Sequence, residues 1–540
     1  MSTKPGLLDK ARIVASPGFN RWLIPPAALA IHLCIGMAYG FSVFWLPLSK
    51  SLGQSCPADI GFLQMLVTTT CDWPVSMLGW TYTLFFVLLG SSAALFGHWL
   101  ETAGPRKAGV VSALCWCLGL VIAAIGVREH QLWLLWLGAG VIGGIGLGLG
   151  YISPVSTLIK WFPDRRGMAT GMAIMGFGGG AMIGTPLADK LMKHFAASGG
   201  VGVWQTFLVM AGLYFISMML GAFGYRVPAT GWAPAGWTPP APNSHSLMTT
   251  RHVHVDRVLS TPQFWLLWGV LCLNVSAGIG VVGMASPMLQ EVFGARMMGG
   301  EAQQLADMSA DARAQMATLA AAFAGLLSLF NILGRIFWAS FSDVIGRRTT
   351  YFVFFLLGIA LYASAPIVGA GGHVGLFVLL FCVILTMYGG GFATIPAYLA
   401  DLFGTQHVGA IHGRLLTAWS VAGILGPVVV NYIREAQLAA GVPANQAYNM
   451  TMYILAALLV GGFLCNLLVR PVKDDKFMSD DELARERALA HETSQREQLA
   501  AGTSSSVTPA WLVVLAWIAV SIPMGWGIGM TVLKSLALFR

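Results

Sequence analysis

The segment FNILGRIFWASFSDVIGRR, residues 330–348, holds three arginines in two kinds of company. Arg347 and Arg348 are adjacent and follow Asp343, a cluster able to ion-pair at a helix end. Arg335 stands inside an apolar run that reaches back to Met316. A guanidinium stays charged and presents a planar fork that grips a carboxylate through two parallel hydrogen bonds. Arg335 therefore suits recognition of an anion. The structural alternative is a pairing with a helix carbonyl or an acid, but no Asp or Glu falls in the interior of any apolar run of the chain.

His32 is the one histidine well inside such a run. Its imidazole, with an ordinary pKa of about 6.5, suits proton coupling and suits hydrogen-bonded packing equally in kind. The eight cysteines show no metal-ligand spacing. Cys56 and Cys71 share one polar stretch, where a disulfide and two free thiols both fit. No paired acids, activated nucleophile or ligand cluster appears, so the expectation is neither an enzyme nor a holder of metal or cofactor. The glycine run GGIGLGLG, 143–150, follows no strand and reads as close helix packing, not as a dinucleotide loop.

The elements that must position Arg335 follow from composition. Hydrophobic residues make up 56% of the chain and charged ones 10%, with a mean hydropathy of +0.70. A soluble chain carries about 25% charged residues, so the solvent for most of this one is lipid. The formal charge of +8 is then a topology signal and does not call for nucleic acid as a partner. Apolar runs long enough to cross a bilayer fall at 22–47, 75–97, 108–127, 131–154, 168–189, 204–224, 263–287, 317–341, 350–370, 374–399, 412–433, 451–470 and 510–533. With the N-terminus cytoplasmic, most Lys and Arg fall on the cytoplasmic side, which fits the positive-inside rule. Residues 225–262 are then a cytoplasmic linker between bundles at 1–224 and 263–470. The polar stretch 471–507 tethers a thirteenth span at 508–540, whose C-terminus is expected to be periplasmic.

The two halves repeat. GHWLETAGPRK and ASFSDVIGRR each place an acid three residues before a glycine and a basic pair after it. The shift of 242 residues from Gly104 to Gly346 also carries Pro154 onto Pro396, Gly167 onto Gly409, Gly171 onto Gly413 and Trp161 onto Phe403. These two loops resemble the signature of the major facilitator superfamily. KWFPDRRGMATG and YGGGFATIPAYLADLFG, with the Arg335 segment, resemble more narrowly the oxalate/formate antiporter family. The last span resembles a one-helix companion subunit, here fused to the chain. The resemblance implies an all-α integral membrane protein, two six-helix bundles plus a thirteenth helix, rocking about a midplane site. The expected home is a bacterial inner membrane.

Arg335, eight residues before Asp343, lies about 12 Å from the end of its helix. A charge at that depth costs about 2.5–3.5 kcal/mol on insertion scales, so it should face a polar cavity. Its position one repeat earlier is Ala93; the scaffold does not require it. The resemblance implies a substrate-binding role for Arg335 and an aromatic box of Tyr39, Tyr151, Phe177, Tyr388 and Phe392. Where the dicarboxylate-transporting relative has a second cation, this chain has Trp419, and Phe177 stands one repeat before it. One cation and an apolar wall suit a monocarboxylate such as formate, lactate or pyruvate; oxalate/formate exchange is the alternative.

Coupling is open between antiport with a counter-anion and symport with protons. Monocarboxylate transporters place an acid four residues before this arginine, where this chain has Asn331. His32 corresponds by the repeat to Asn274, which makes His32, Asn274 and Asn331 the coupling candidates. Glu101, Arg106, Asp343, Arg347 and Arg348 are the expected gating residues at the cytoplasmic ends. A carboxylate sensor that binds without transport would share the same site.

Overall fold

Thirteen helices long and apolar enough to cross a membrane organise the chain among its described residues. They are α1 Arg21–Leu48, α2 Val75–Gly97, α3 Pro105–Arg128, α4 Leu132–Trp161, α5 Gly171–Ala196, α6 Val203–Gly224, α7 Pro262–Gly294, α8 Ala310–Ile345, α9 Arg347–Gly371, α10 Val374–Phe403, α11 Val408–Ala439, α12 Ala444–Leu468 and α13 Ala510–Leu538. This computed structural model describes residues 6–57, 60–196, 200–229, 232–236, 249, 251–297, 308–404, 406–486, 488 and 507–539. Helices α1–α6 and α7–α12 form two six-helix bundles. We call the side that holds the α6–α7 connection the linker face, and the other the far face. Helix α8 begins at Ala310, seven residues before the apolar run, because Ser309 caps it through the Ala312 N–H at 3.2 Å.

The repeat is visible in how helices end. Gly104 and Gly346 both adopt positive φ, 84° and 85°, and each closes one helix while opening the next. A β-carbon is strained there, which is why both acid-to-glycine loops need the residue. Arg106 and Arg348, one repeat apart, do the same job. Arg106 donates to the Phe223 carbonyl at 3.2 Å in the last turn of α6, and Arg348 to the Leu467 carbonyl at 2.7 Å in the last turn of α12. Terminal carbonyls of a helix lack intrahelical partners, and a cation there also meets the negative end of the dipole.

The halves meet along two seams, α5 against α8 and α2 against α11, with α1 facing α7 and α10 between them. Gly36 and Gly180 let α1 and α5 touch backbone to backbone: a β-carbon on Gly36 would sit 2.2 Å from the Phe177 carbonyl. Helix α1 tightens to 3₁₀ geometry over Gly36–Phe44, and α4 widens to a π segment over Trp136–Gly143. The first departure carries Tyr39 into the centre of the molecule; such mid-helix changes of pitch mark strained, functional stretches.

Among the described residues, the hydrogen bonds between the two halves lie at the depth of Arg335 or farther toward the far face. Trp45 donates to the Gly283 carbonyl at 3.0 Å, Thr185 to the Ala321 carbonyl at 3.1 Å, and Trp80 to the Tyr432 hydroxyl at 2.8 Å. The far face is therefore closed. The Cys56–Cys71 disulfide ties the α1–α2 connection on that face. On the linker face, Arg257 pairs with Glu482 at 2.6 Å, which docks the start of the tether onto the linker, and Arg414 pairs with Asp256 at 2.9 Å, which ties the linker to α11. The Arg257 hydrogen bond holds the Glu482 carboxyl below its usual range, and Arg414 does the same for Asp256.

Candidate anion site

Arg335 is fully buried at the α5–α8 seam. Its Nε donates to Asn331 Oδ1 at 2.9 Å, one turn back on α8, and its Nη1 donates to the Ile174 carbonyl of α5 at 3.0 Å. Room for it comes from α5, since a β-carbon on Gly178 would lie 2.9 Å from Nε. The structural role considered from sequence is thus half met, because a helix carbonyl holds one nitrogen. The third nitrogen, Nη2, is buried and makes no hydrogen bond of good geometry among the described residues, with the Tyr39 hydroxyl also within reach of the guanidinium.

Every aromatic residue singled out from sequence surrounds this guanidinium. Phe392 places its ring centroid 5.5 Å from the Arg335 Cζ, at cation–π range. Trp419 lies 4.3 Å from Phe392, 5.1 Å from Tyr151 and 5.6 Å from Phe177, centroid to centroid. Tyr39 meets Phe177 at 5.0 Å, and the Tyr388 hydroxyl donates to the Tyr39 hydroxyl at 2.8 Å, joining the halves across the box. Two more donors are buried without a partner among the described residues, the Tyr151 hydroxyl and the Trp419 Nε1–H. The result is a buried aromatic chamber wall closed around one fixed positive charge and unmatched donors; no carboxylate lies against it among the described contacts of Arg335.

The wall extends beyond the expected set. Phe86 stacks 5.5 Å from Trp419, and Tyr82 packs 4.9 Å from Phe86, with its hydroxyl buried and unpartnered. Their four-residue spacing puts both on one face of α2, a pattern present in the sequence but without a marker that this face turns inward. Asn331 is placed as the anchor of the Arg335 Nε. A buried ion pair on the far side also went unread: Arg434 Nε binds Glu291 Oε2 at 2.7 Å and the Tyr448 hydroxyl donates to the same oxygen at 2.6 Å. Both helices run on past their apolar runs, and that extension buries the pair.

His32 lies behind the wall. Its ring stacks 5.6 Å from Tyr151, and its two nitrogens face the Ala173 carbonyl and, at 3.3 Å, the Tyr151 carbonyl. Asn274 sits beside Gly391 of α10, with its Nδ2 buried and unpartnered. The expected gate divides. Arg347 pairs with Asp343 and reaches Asp401 Oδ2 at 3.9 Å, linking the ends of α8 and α10. Among the described contacts, Arg106 and Arg348 cap helix ends within their own halves, because carbonyls left over at a C-terminus are acceptors within their reach. The Glu101 side chain lies outside the described residues, as do those of Arg165 and Arg166.

A histidine–glutamate cluster on the linker face resembles a metal site in spacing: His254, His407 and Glu486 bring ligand atoms within 4.8 Å of one another. Its hydrogen bonds favour a different reading. His254 Nδ1 accepts from the Asp256 N–H at 3.2 Å, so the neutral ring carries its proton on Nε2 and directs it at Glu486, 3.1 Å away. That is the nitrogen a metal would need free.

The Major Facilitator Superfamily profile matches residues 28–427 and again 305–539. The chain belongs to the major facilitator superfamily. This facilitator is similar to the oxalate:formate antiporter of Oxalobacter formigenes, 26% identical over 471 residues, which covers 86% of the chain and 96% of the relative. It is also similar to monocarboxylate transporter 4 of Rattus norvegicus, 25% identical over 439 residues, 76% of the chain and 80% of the relative. Its fold matches the crystal structure of a bacterial homologue of the human lysosomal transporter Spinster, in an inward-facing and unoccupied conformation, with a TM-score of 0.56 at 14% identity over 86% of the chain and all of that one.

Proposed function

We propose that this facilitator is a secondary transporter of small monocarboxylates, such as formate, lactate or pyruvate, working by alternating access in a bacterial inner membrane. The carrying observation is the Arg335 Nη2, a buried donor on a fixed charge with no hydrogen bond of good geometry among the described residues, enclosed with the Tyr39 hydroxyl and with the Tyr151 hydroxyl and Trp419 indole N–H, which have no described partner. Donors without an acceptor in a low-dielectric chamber are a site for an acceptor-only anion, and a carboxylate is that group. The names of the relatives agree with the class. Trp419, where a second cation would stand, favours one carboxylate over two.

The linker face is cytoplasmic in this reading, the far face periplasmic, and the C-terminus of α13 periplasmic. Substrate binding replaces the unmatched donors with hydrogen bonds, and the two halves rock about the Tyr39–Tyr388 contact. The Asp343–Arg347–Asp401 cluster moves with the ends of α8 and α10 and sets how freely the cytoplasmic side opens. Exchange of one anion for another needs no titratable group. His32 faces carbonyls and not Arg335, which favours antiport over proton symport.

The test is a thermal-shift screen of small carboxylates followed by counterflow of labelled hits in proteoliposomes, with Arg335→Gln as control. Counterflow by the wild type and none by the variant supports transport. Saturable binding without exchange would instead make the protein a sensor.

A further inference from the structure

Helix α13 is the segment that neither bundle needs, and most of its surface faces outward. It lies in the groove between α5 and α8, one helix from each half, and also touches α1. Near its start the Trp517 indole N–H donates to the Trp22 carbonyl of α1 at 3.1 Å, and its last turns make polar contacts to both halves. Thr531 Oγ1 donates to the Met182 carbonyl of α5 at 3.3 Å, and Ser535 Oγ to the Ala322 carbonyl of α8 at 3.4 Å. Between them, Lys534 Nζ reaches Asp189 Oδ2 of α5 at 3.3 Å.

Asp189 is the unusual partner. Its side chain is only 7% exposed, whereas Lys193, its other cation, is 46% exposed and one turn along the same helix. An exposed lysine compensates a buried acid weakly, so Lys534, 20% exposed, is the better-placed counter-charge. Asp189 also lines a cavity of about 250 Å³ on the far side of the anion chamber, together with Lys50 of the α1–α2 connection, Gln290 and Ser286 of α7, and Arg313 of α8. Lys50 and Arg313 come from opposite halves and form no ion pair among the described residues. Partial burial, and after it the Arg313 charge, draw the Lys50 ammonium below its usual pKa, against the Glu291 carboxylate, which raises it. An anion passing toward Arg335 from this side meets two positive charges and, unless it is cancelled, one negative.

We propose that Lys534 of the fused helix is a positioning residue of the transport path: it cancels the Asp189 charge and so leaves the far-side antechamber cationic for an incoming carboxylate. This rests on the carboxylate-transport reading above. It gives α13 a task inside the cycle, delivered from outside the twelve-helix body. In a cavity with low-dielectric walls, an acid a few ångströms from the path and left with only the half-exposed Lys193, 3.1 Å away, slows entry of an anion by about tenfold. Because Asp189 faces only this side, the effect belongs to one face of the membrane.

The test uses full-length protein in proteoliposomes sorted by orientation, with labelled formate and labelled pyruvate as probes. Initial exchange rates give KM from each face for the wild type, Lys534→Arg, Lys534→Gln and the double variant Asp189→Asn with Lys534→Gln. Lys534→Gln should raise the far-side KM about tenfold and leave the linker-side KM within about twofold. Lys534→Arg should match the wild type, and the double variant should return the far-side KM to within about twofold. Thermal unfolding of each variant is read alongside. An unchanged far-side KM in Lys534→Gln overturns the proposal. So does an equal loss from both faces that Asp189→Asn does not repair, since that is the signature of a helix that merely packs. A wild type that moves neither probe fails the transport reading itself, and the proposal with it.

Discussion

Arg335→Gln separates a substrate arginine from a structural one, because the two roles predict different balances between lost affinity and lost stability in the protein without substrate. The substitution removes the only cation of the chamber. At about 4 Å and an effective dielectric of about 20, its attraction for a carboxylate is about 4 kcal/mol, so affinity should fall by about a thousandfold. It also deletes the bonds to Asn331 Oδ1 and the Ile174 carbonyl, a loss of about 3–6 kcal/mol for two bonds from a charged donor. Against that, a buried charge that costs about 2.5–3.5 kcal/mol is gone. The two terms offset in part, and the unfolding free energy of the empty variant should fall by no more than about 3.5 kcal/mol. Arg335→Lys keeps the charge but not the fork. It should lose one charge-assisted bond to the anion, about 1.5–3 kcal/mol, and bind about 10- to 100-fold more weakly. Counterflow with a titrated carboxylate gives the affinities, and thermal unfolding with and without the anion gives the stabilities. The reasoning is refuted if Arg335→Gln retains counterflow within about threefold of wild type, or if the empty variant is destabilised as strongly as transport is lost.

Trp419→Lys should shift preference toward oxalate by at least about tenfold relative to formate, since a second cation enters beside the unpartnered site; competition of each unlabelled anion against labelled formate checks it. His32→Asn should leave the dependence of exchange on pH between about 6 and 8 unchanged, because its nitrogens face backbone carbonyls; a flattened profile would restore His32 as a proton carrier. Arg348→Ala should lower the unfolding free energy by about 1–2 kcal/mol, since it uncaps the end of α12, with KM for the anion unchanged. Asp343→Asn should slow turnover severalfold with little effect on anion affinity, because it loosens Arg347 far from the chamber; equal losses in both would place it at the site instead.

Much of this protein follows from local physics that any reader of the chain can apply. Thirteen spans, their order and the two-half repeat are set by apolar length and by glycines at Gly104 and Gly346 that only a tight helix-to-helix turn requires. Arg335 stood out because a charge has no reason to lie in lipid without a partner, and that argument needs no coordinates. The aromatic box was legible only through resemblance: nothing local tells Tyr39 from any other tyrosine in an apolar helix.

Tertiary structure decided the rest, because it depends on which face each helix turns inward. Phe86 and Tyr82 joined the wall through the rotation of α2 against α11, which no spacing reports. Arg106 and Arg348 became caps because the carbonyls of α6 and α12, more than a hundred residues away, arrive beside them. Glu291 and Arg434 became a buried pair because two helices extend beyond their apolar runs. Residue type fixes what a side chain can do, whereas packing fixes which partner it meets. For Arg335, packing satisfied two of its nitrogens and left the third without a hydrogen bond of good geometry among the described residues.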